Sequence, residues 1–212
     1  MKLSIRIMLA ASVVIFGVLE AMAVEEPSYK VLKKDNNFEI RDYASHILAE
    51  TVVEGDLEQA GKKAFRRLFR YISGENRTRT KVAMTAPVSQ KPKGEKIEMT
   101  APVVTMNTEK GMFMAFVMPE RFDMQSIPTP SSSMVKMQLV EPRKLAAIRF
   151  SGYMSQGSYD RNLGLLRDAL EGRGISTVGE PLLMQYNDPW TPPFSRRNEI
   201  ALQVIDGNLA GA

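Results

Sequence analysis

The sequence predicts an α+β fold that is built from two related halves of one domain. Short segments in which apolar and polar residues alternate indicate strands, and two longer segments repeat apolar residues at helical spacing. A shift of 98 residues places a strand–helix–glycine pattern onto a second copy of itself. The matched residues are Ala49 with Ala147, Leu68 with Leu166, Ile72 with Leu170 and Gly74 with Gly172. Because neither half could bury its sheet alone, we expect one domain and not two.

Strands and helices are predicted in chain order from alternation, turn residues and helix caps. Lys34-Asp35-Asn36-Asn37 suits the turn of a hairpin between Tyr29–Lys33 and Phe38–Tyr43. Further strands are expected at His46–Val53, Gly111–Met118 (a central strand), Leu182–Tyr186, Asn198–Val204, and at Val135–Val140 paired with Leu145–Ser151. Asp56 suits the N-cap of a helix near residues 57–73 that Gly74 ends. A second helix is expected at residues 158–171, followed by Gly172.

The first 23 residues have the pattern of a secretory signal peptide. Lys2 and Arg6 accompany an apolar run from Ile7 to Leu19, and Ala21-Met22-Ala23 is a small-x-small cleavage site. The run is short for a membrane span, and an uncleaved anchor is the alternative interpretation. We therefore expect a mature chain that begins at Val24, forms a single domain over residues 24–212, does not span a membrane, and is periplasmic or secreted.

The composition excludes several kinds of site. The chain of 212 residues has no cysteine and one histidine, His46. Cysteine nucleophiles, iron–sulfur clusters and cysteine zinc sites are excluded, and a site with several histidines or a conventional Ser-His-Asp triad is disfavoured. The net charge is +4 and the cations are spread along the chain except in the first helix. Together with export, this distribution argues against nucleic acid as a partner.

A short motif occurs twice between the two predicted helices. Met-Thr-Ala-Pro-Val stands at 84–88 and again at 99–103. Two copies are too few for a repeat protein, and proline is confined to edges, ends and bulges of strands. We expect two strands, interrupted at Pro87 and Pro102, that form the lip of an opening lined by Met84 and Met99. Two bulged strands in a barrel rim, with no ligand, are the alternative.

The first predicted helix carries aromatic residues beside its core face. At about 100° per residue, one arc gathers the core residues Leu57, Ala60, Gly61, Ala64, Leu68, Tyr71 and Ile72. Phe65, Phe69 and Lys62 lie on the shoulder of that arc, and further cations occupy the remaining face. Either the two rings extend the core beneath a loop, or they form the wall of a cleft with a cationic rim. A cleft of that kind suits a flat aromatic dianion.

Longer motifs cover nearly all of the mature chain. They are Phe38-Glu39-Ile40-Arg41-Asp42-Tyr43, the Lys-Lys-Ala-Phe…Ile-Ser-Gly helix, both Met-Thr-Ala-Pro-Val segments, Phe116-Val117-Met118-Pro119, Phe150-Ser151-Gly152, and Tyr186-Asn187-Asp188-Pro189 with Arg196-Arg197-Asn198-Glu199. In this order they resemble the SOUL haem-binding family. The resemblance implies a distorted antiparallel β-barrel with two helices and an internal pseudo-twofold, similar to the effector-binding domains of certain bacterial regulators.

The same resemblance implies a ligand and a place for it. Haem or another tetrapyrrole would bind non-covalently in a cleft along the first helix, and the family's contacts carry over to Lys62, Phe65, Phe69 and Arg70. A histidine proposed as an axial iron ligand in one member is Asp42 here. His46 lies four residues later and does not match that position, so the iron ligand stays open, and so does binding of metal-free porphyrin.

Three functions follow from these observations. The first is an exported carrier or buffer for a tetrapyrrole, without catalysis. The second is an enzyme that uses one of the carboxylates expected to reach the interior, Glu50, Glu98 or Glu199, although no carboxylate pair stands out. The third is an interaction module that presents the basic first helix to an acidic surface or a membrane.

Overall fold

A computed structural model of the protein describes residues 24–55, 57–78 and 94–205. Within these residues the chain forms eleven strands and two α-helices. In chain order these are β1 (Tyr29–Asp35), β2 (Phe38–Tyr43), β3 (His46–Val53), α1 (Leu57–Ile72), β4 (Asn76–Arg77), β5 (Val103–Thr108), β6 (Gly111–Val117), β7 (Thr129–Pro130), β8 (Lys136–Val140), β9 (Arg143–Phe150), α2 (Gln156–Glu171), β10 (Thr177–Gln185) and β11 (Asn198–Val204). The α+β class predicted from the sequence is confirmed. The predicted signal peptide and the predicted N-cap residue Asp56 lie outside the described residues.

Nine strands form one antiparallel sheet in the order β1-β2-β9-β11-β10-β5-β6-β3-β8, while β4 and β7 pair separately. The barrel expected from the family resemblance is not closed, because among the described residues β1 and β8 end the sheet and do not pair with each other. The lysine-rich strand β1 is mostly exposed and its register shifts between Val31 and Lys33. Lysines and irregular register are features that keep an edge strand from further pairing.

The order of the strands explains why one predicted pairing is wrong. The elements β2-β3-α1-β5-β6 and β8-β9-α2-β10-β11 follow the same sequence of strands and helix, and β5 pairs with β10 between them. The first strand of each set crosses to the other set: β8 pairs with β3, and β2 pairs with β9. Both edges of β9 are therefore occupied by β2 and β11, and β8 cannot pair with it. That the two sets superpose stays a prediction.

Buried positions of the two sets correspond at the expected spacing of 98 residues. Ala49 and Ala147 are both buried, as are the pairs Leu68 with Leu166 and Ile72 with Leu170. The glycines do not correspond in the same way. Gly74 has a φ of 111° and ends α1 with hydrogen bonds from Gly74 N–H to the Tyr71 carbonyl and from Glu75 N–H to the Arg70 carbonyl.

In α2 the equivalent cap is two residues later than expected. Gly172 is still helical with a φ of −61°, whereas Gly174 has a φ of 63°. Gly174 N–H bonds to the Glu171 carbonyl and Ile175 N–H to the Leu170 carbonyl, the same pattern that closes α1. The start of α2 is two residues earlier than expected, because Ser155 is the N-cap and forms a reciprocal capping box with Ser158.

Both helices lie on one face of the sheet, α1 on β3 and β6 and α2 on β9 and β11. The core face predicted for α1 is confirmed, since Ala60, Ala64, Leu68, Tyr71 and Ile72 are all buried. On the opposite face of the sheet, a separate apolar cluster includes Leu48, Ala115, Leu145 and Ala201. The sheet is thus covered on one face by helices and curves around apolar side chains on the other.

The second Met-Thr-Ala-Pro-Val copy is not a strand before its last residue, which corrects the sequence interpretation. Residues 94–102 are irregular and β5 begins at Val103. The segment is held by other contacts: Ile97 N–H bonds to the Ile72 carbonyl, and the Thr100 hydroxyl bonds to the Val117 carbonyl. Pro102 lacks the N–H that a ladder would need at this point. The first copy, with Met84 and Pro87, lies outside the described residues.

Candidate functional site

Two phenylalanine rings form an exposed apolar surface on α1. Phe65 and Phe69 are 38% and 48% exposed, although they lie one turn apart beside the buried face of the helix. Their rings are nearly parallel, with an interplanar angle of 13° and centroids 5.9 Å apart. Phe65 is also held from below, because its ring meets the buried ring of Phe116 in a T-shaped contact at 5.4 Å. The rings are therefore fixed in place and open to solvent.

Cations border these rings, but they differ in their partners. The Lys62 ammonium is 2.6 Å from the Glu58 carboxylate one turn earlier. The Arg70 guanidinium is 3.7 Å from Glu75. Arg66 is exposed and makes no hydrogen bond or ion pair with any described residue. Because exposed ion pairs are weak and easily exchanged, all three cations remain available to an incoming anion, and Arg66 needs no rearrangement.

A shallow depression of about 480 Å³ contains this surface, within the usual range for small-molecule sites. It is lined by Gly61, Lys62, Phe65, Arg66 and Phe69, which we call the Phe65–Phe69 surface. Three of the four α1 residues expected from the family resemblance are brought together here. Arg70 is not among the lining residues, and Arg66 takes its place. Of the two methionines expected at the opening, Met99 is exposed and does not line the depression, and Met84 lies outside the described residues.

Other methionines line an adjoining depression of about 670 Å³. Met106, Met112 and Met154 contribute to it, together with Tyr159 of α2. The two depressions meet where Gly61 approaches Met112, since a Cβ on Gly61 would lie 3.4 Å from the Met112 sulfur. These flexible thioethers belong to β5, β6 and the segment before α2, and the sequence analysis did not predict them.

His46 lies in a different cavity, of about 580 Å³, which it lines with Met118, Phe122 and Leu139. Its Nδ1 is 2.9 Å from the Ala44 carbonyl oxygen, which can only accept, so Nδ1 carries a proton and donates it to that oxygen. Burial lowers the pKa of His46, and the charge of Arg143 lowers it further against the effect of the Ala44 bond. The imidazole is therefore neutral near pH 7, but it does not line the Phe65–Phe69 surface.

The three carboxylates considered for catalysis are far from equivalent. Glu98 is exposed and forms an ion pair with Arg121. Glu50 is half-buried on β3, and burial raises its pKa although Lys136 on the neighbouring strand opposes that shift. Glu199 on β11 is fully buried, as the sequence suggested it could be. No two of them are linked by a described hydrogen bond, so the structure does not assemble an acid–base pair from them.

Glu199 is the centre of a buried polar network. Arg41 donates to both of its oxygens at 2.6 and 3.0 Å, Arg197 Nε donates at 2.8 Å and the Tyr186 hydroxyl at 2.9 Å. Burial alone would raise the pKa of Glu199, but the hydrogen bonds and charge of Arg41 and the charge of Arg197 outweigh it. The pKa of Glu199 consequently lies below its usual value. A carboxylate with four donors is poorly suited to accept a proton from a substrate.

Sequence reasoning missed this network and the role of Arg66. The sequence carries no clear signal for the network, because Arg41 alternates with Glu39 and Tyr43 along β2 and is expected on the more polar face of that strand. Arg66 was placed on the polar face by its helical angle, but in the structure it lines the depression together with Lys62 and Phe65. Within the described residues, no group of three or more His, Asp or Glu side chains could hold a metal ion. No helix in these residues has the length and apolar composition to cross a membrane.

The α+β fold of this protein is shared by solved structures of low sequence identity. It is similar to the C-terminal domain of EcmrR, with a TM-score of 0.54 at 10% sequence identity over 84% of this chain and 98% of that one. It is also similar to a hydrolase from Listeria innocua, with a TM-score of 0.51 at 11% identity over 82% and 94% of the two chains. At such identities the similarity shows a shared α+β fold and carries nothing about activity.

The family is shown by the sequence itself. Residues 24–94 and 89–203 match the SOUL heme-binding protein family, and the chain belongs to this family. It is 27% identical over 151 residues to heme-binding protein 1 of Mus musculus, covering 71% of this chain and 75% of that protein. It is 25% identical over 164 residues to heme-binding protein 1 of Xenopus tropicalis, covering 77% and 81% of the two chains. The family resemblance inferred from the motifs is confirmed.

Proposed function

We propose that this protein binds haem or a related tetrapyrrole non-covalently on the Phe65–Phe69 surface, and that it acts as an exported carrier or buffer without catalysis. The observation that carries the proposal is the pair of fixed, exposed phenylalanine rings beside Lys62 and Arg66, in a member of a haem-binding family. A planar macrocycle buries apolar area against such rings, and its acidic side chains pair with the cations.

Haem would supply an iron centre to this surface, but the side chains that line it include no histidine or methionine. The residues present fit the macrocycle and its acidic groups, and the neighbouring Met106, Met112 and Met154 extend the apolar wall. Binding would therefore depend mainly on ring contact and charge pairing at α1. The absence of a described carboxylate pair supports a carrier in preference to an enzyme.

Export is part of the proposal and rests on residues 1–23. A basic start, an apolar run and Ala21-Met22-Ala23 favour cleavage before Val24, which leaves residues 24–212 as a single domain with two related halves. Intact mass of the protein purified from its native host should show Val24 as the first residue. Retention of Met1 in a membrane fraction would contradict export.

Titration of the mature protein with haem and with iron-free porphyrin, followed at the Soret band, tests the binding proposal. We expect saturable binding of both compounds with affinities within about tenfold of each other, because the lining of the surface offers no iron ligand. Failure of both compounds to bind would refute the proposal. Strong binding of haem alone would show that iron coordination, and not the ring surface, provides most of the affinity.

A further inference from the structure

A cavity of about 510 Å³ lies on the face of the sheet opposite the helices. Its apolar wall comes from five strands and includes Leu48, Val104, Phe113, Val140 and Leu182. Arg143 at the start of β9 also lines it. Because α1 and α2 pack on the other face, this cavity is separate from the Phe65–Phe69 surface. Its volume is within the range that binds small molecules.

Arg143 is unusual among the arginines on this face of the sheet. Arg41 and Arg197 both donate to the Glu199 carboxylate, and each also contacts a second carboxylate. Arg143 makes no hydrogen bond or ion pair within the described part of the chain, and its Nε is buried without a partner. Buried polar groups almost always have partners, and a charge without one destabilises the folded protein. Arg143 as a whole is half-buried, and an anion in the cavity would supply the partner that its buried Nε lacks.

We propose that this cavity binds a small amphipathic organic anion, with its acidic group on Arg143 and its apolar body against the strands. A planar guanidinium suits a carboxylate or a phosphate because it can donate two parallel hydrogen bonds. Three carboxylates also line the cavity, but their surroundings do not favour a cationic ligand instead of the anion. Glu141 and Glu180 are exposed, and Glu50 has Lys136 opposite it on β8.

Binding of 4-phenylbutyrate and of its uncharged analogue 4-phenylbutanol, measured by calorimetry, tests the proposal. The wild-type protein should bind the acid about tenfold or more tightly than the alcohol, since a hydrogen-bonded charge pair is worth that much. Arg143→Met should remove this preference. It should also keep or raise the melting temperature of the empty protein, because the substitution replaces an unpaired charge by an apolar side chain of similar length.

Arg149→Met is the matched control, since it removes the same charge from an exposed position on the same strand. It should leave the preference unchanged, as should Phe65→Asp combined with Phe69→Asp, which alters the other site. Arg143→Gln provides a second variant with the same expected loss of preference. Equal affinities for acid and alcohol in the wild type would overturn the proposal. So would a preference that survives Arg143→Met or Arg143→Gln, or a marked loss of stability in both of these variants.

Discussion

Arg66 and Arg70 carry the same charge on neighbouring turns of α1, yet their surroundings differ. Arg66 lines the Phe65–Phe69 surface and has no partner among the residues that the structure describes, whereas Arg70 lies outside the lining and near Glu75. We expect Arg66→Ala to weaken tetrapyrrole binding more than Arg70→Ala, each by under about 1 kcal/mol because both cations are exposed. Porphyrin titrations of the two variants at low salt measure the difference. A larger effect at Arg70 would indicate that an acidic group of the tetrapyrrole contacts Arg70, as the family resemblance implies.

His46 should contribute little to tetrapyrrole binding. Its imidazole lines the cavity with Met118 and Phe122, away from the Phe65–Phe69 surface. His46→Ala is therefore expected to leave the affinity for haem and the position of the Soret band unchanged. The measurement is a haem titration of the variant beside the wild type. A loss of tenfold or more, about 1.4 kcal/mol, with a shifted Soret band would identify His46 as an iron ligand.

Single residues were predictable from the sequence where one helix sets their position. The helical angle placed Phe65 and Phe69 beside the core face, and their exposure agrees with that placement. Residues whose surroundings come from distant strands were not predictable in the same way. The cavity around His46 and the unpaired state of Arg143 depend on which strands become neighbours, and local periodicity does not contain that information.

At the scale of elements, the cap of α2 offers a test of local stability. The Ser155 hydroxyl accepts a hydrogen bond from Ser158 N–H, and the Ser155 N–H donates one to the Ser158 hydroxyl. Ser155→Ala should lower the free energy of unfolding by about 1 kcal/mol, the usual value of an N-cap. It should change porphyrin affinity by less, because Ser155 lines only the adjoining depression and not the Phe65–Phe69 surface. Urea denaturation gives the first quantity and a Soret titration the second. A binding loss as large as the loss of stability would link this helix end to the site.

The helices and most strands were predictable because their signals are local. Examples are the apolar alternation of β3 at His46–Val53 and Gly74, which ends α1. Pairing was harder to predict. Val135–Val140 and Leu145–Ser151 are joined by only four residues and resemble a hairpin, but β2 and β11 already flank β9. The exchange of first strands between the two sets is a property of the whole sheet, and a short connection between two strands does not reveal it.

At the scale of the whole molecule, Glu199 joins distant parts of the chain. It accepts from Arg41 on β2, from Tyr186 after β10 and from Arg197 before β11. Glu199→Gln would leave two arginines poorly paired and should cost about 3–5 kcal/mol of unfolding free energy. Glu98→Gln, which changes an exposed ion pair, is the control and should cost under about 1 kcal/mol. Similar urea midpoints for both variants would contradict the structural role of Glu199.

The difference in unfolding free energy between the wild type and Glu199→Gln should depend on pH. The pKa of Glu199 is below its ordinary value of 4.5, so its contribution to stability is complete above that value. The difference in unfolding free energy between wild type and Glu199→Gln should be constant from neutral pH to about pH 5. It should decrease only as the pH falls from about 4.5 through the lowered pKa. A difference that already declines near pH 6 would show that the pKa is raised.

The exposed rings of α1 are central to the proposed function, and one experiment addresses them directly. Phe65→Asp combined with Phe69→Asp removes the apolar wall and adds charges that repel the acidic groups of a tetrapyrrole. Binding should weaken by about 3 kcal/mol, more than a hundredfold. Because the rings are 38% and 48% exposed, the urea midpoint should fall much less than in Leu68→Asp, which places a charge at a fully buried position. Leu165→Asp on α2, at a residue 49% exposed, is the matched control and should keep full affinity.

Porphyrin affinity and urea midpoint measured together on these variants therefore test the binding site most directly. The predicted result is a folded double variant that has lost porphyrin binding, beside a Leu165→Asp variant that has kept it. Porphyrin binding that persists in the folded double variant, or unfolding of that variant to the same extent as Leu68→Asp, would contradict the assignment of the Phe65–Phe69 surface as the tetrapyrrole site.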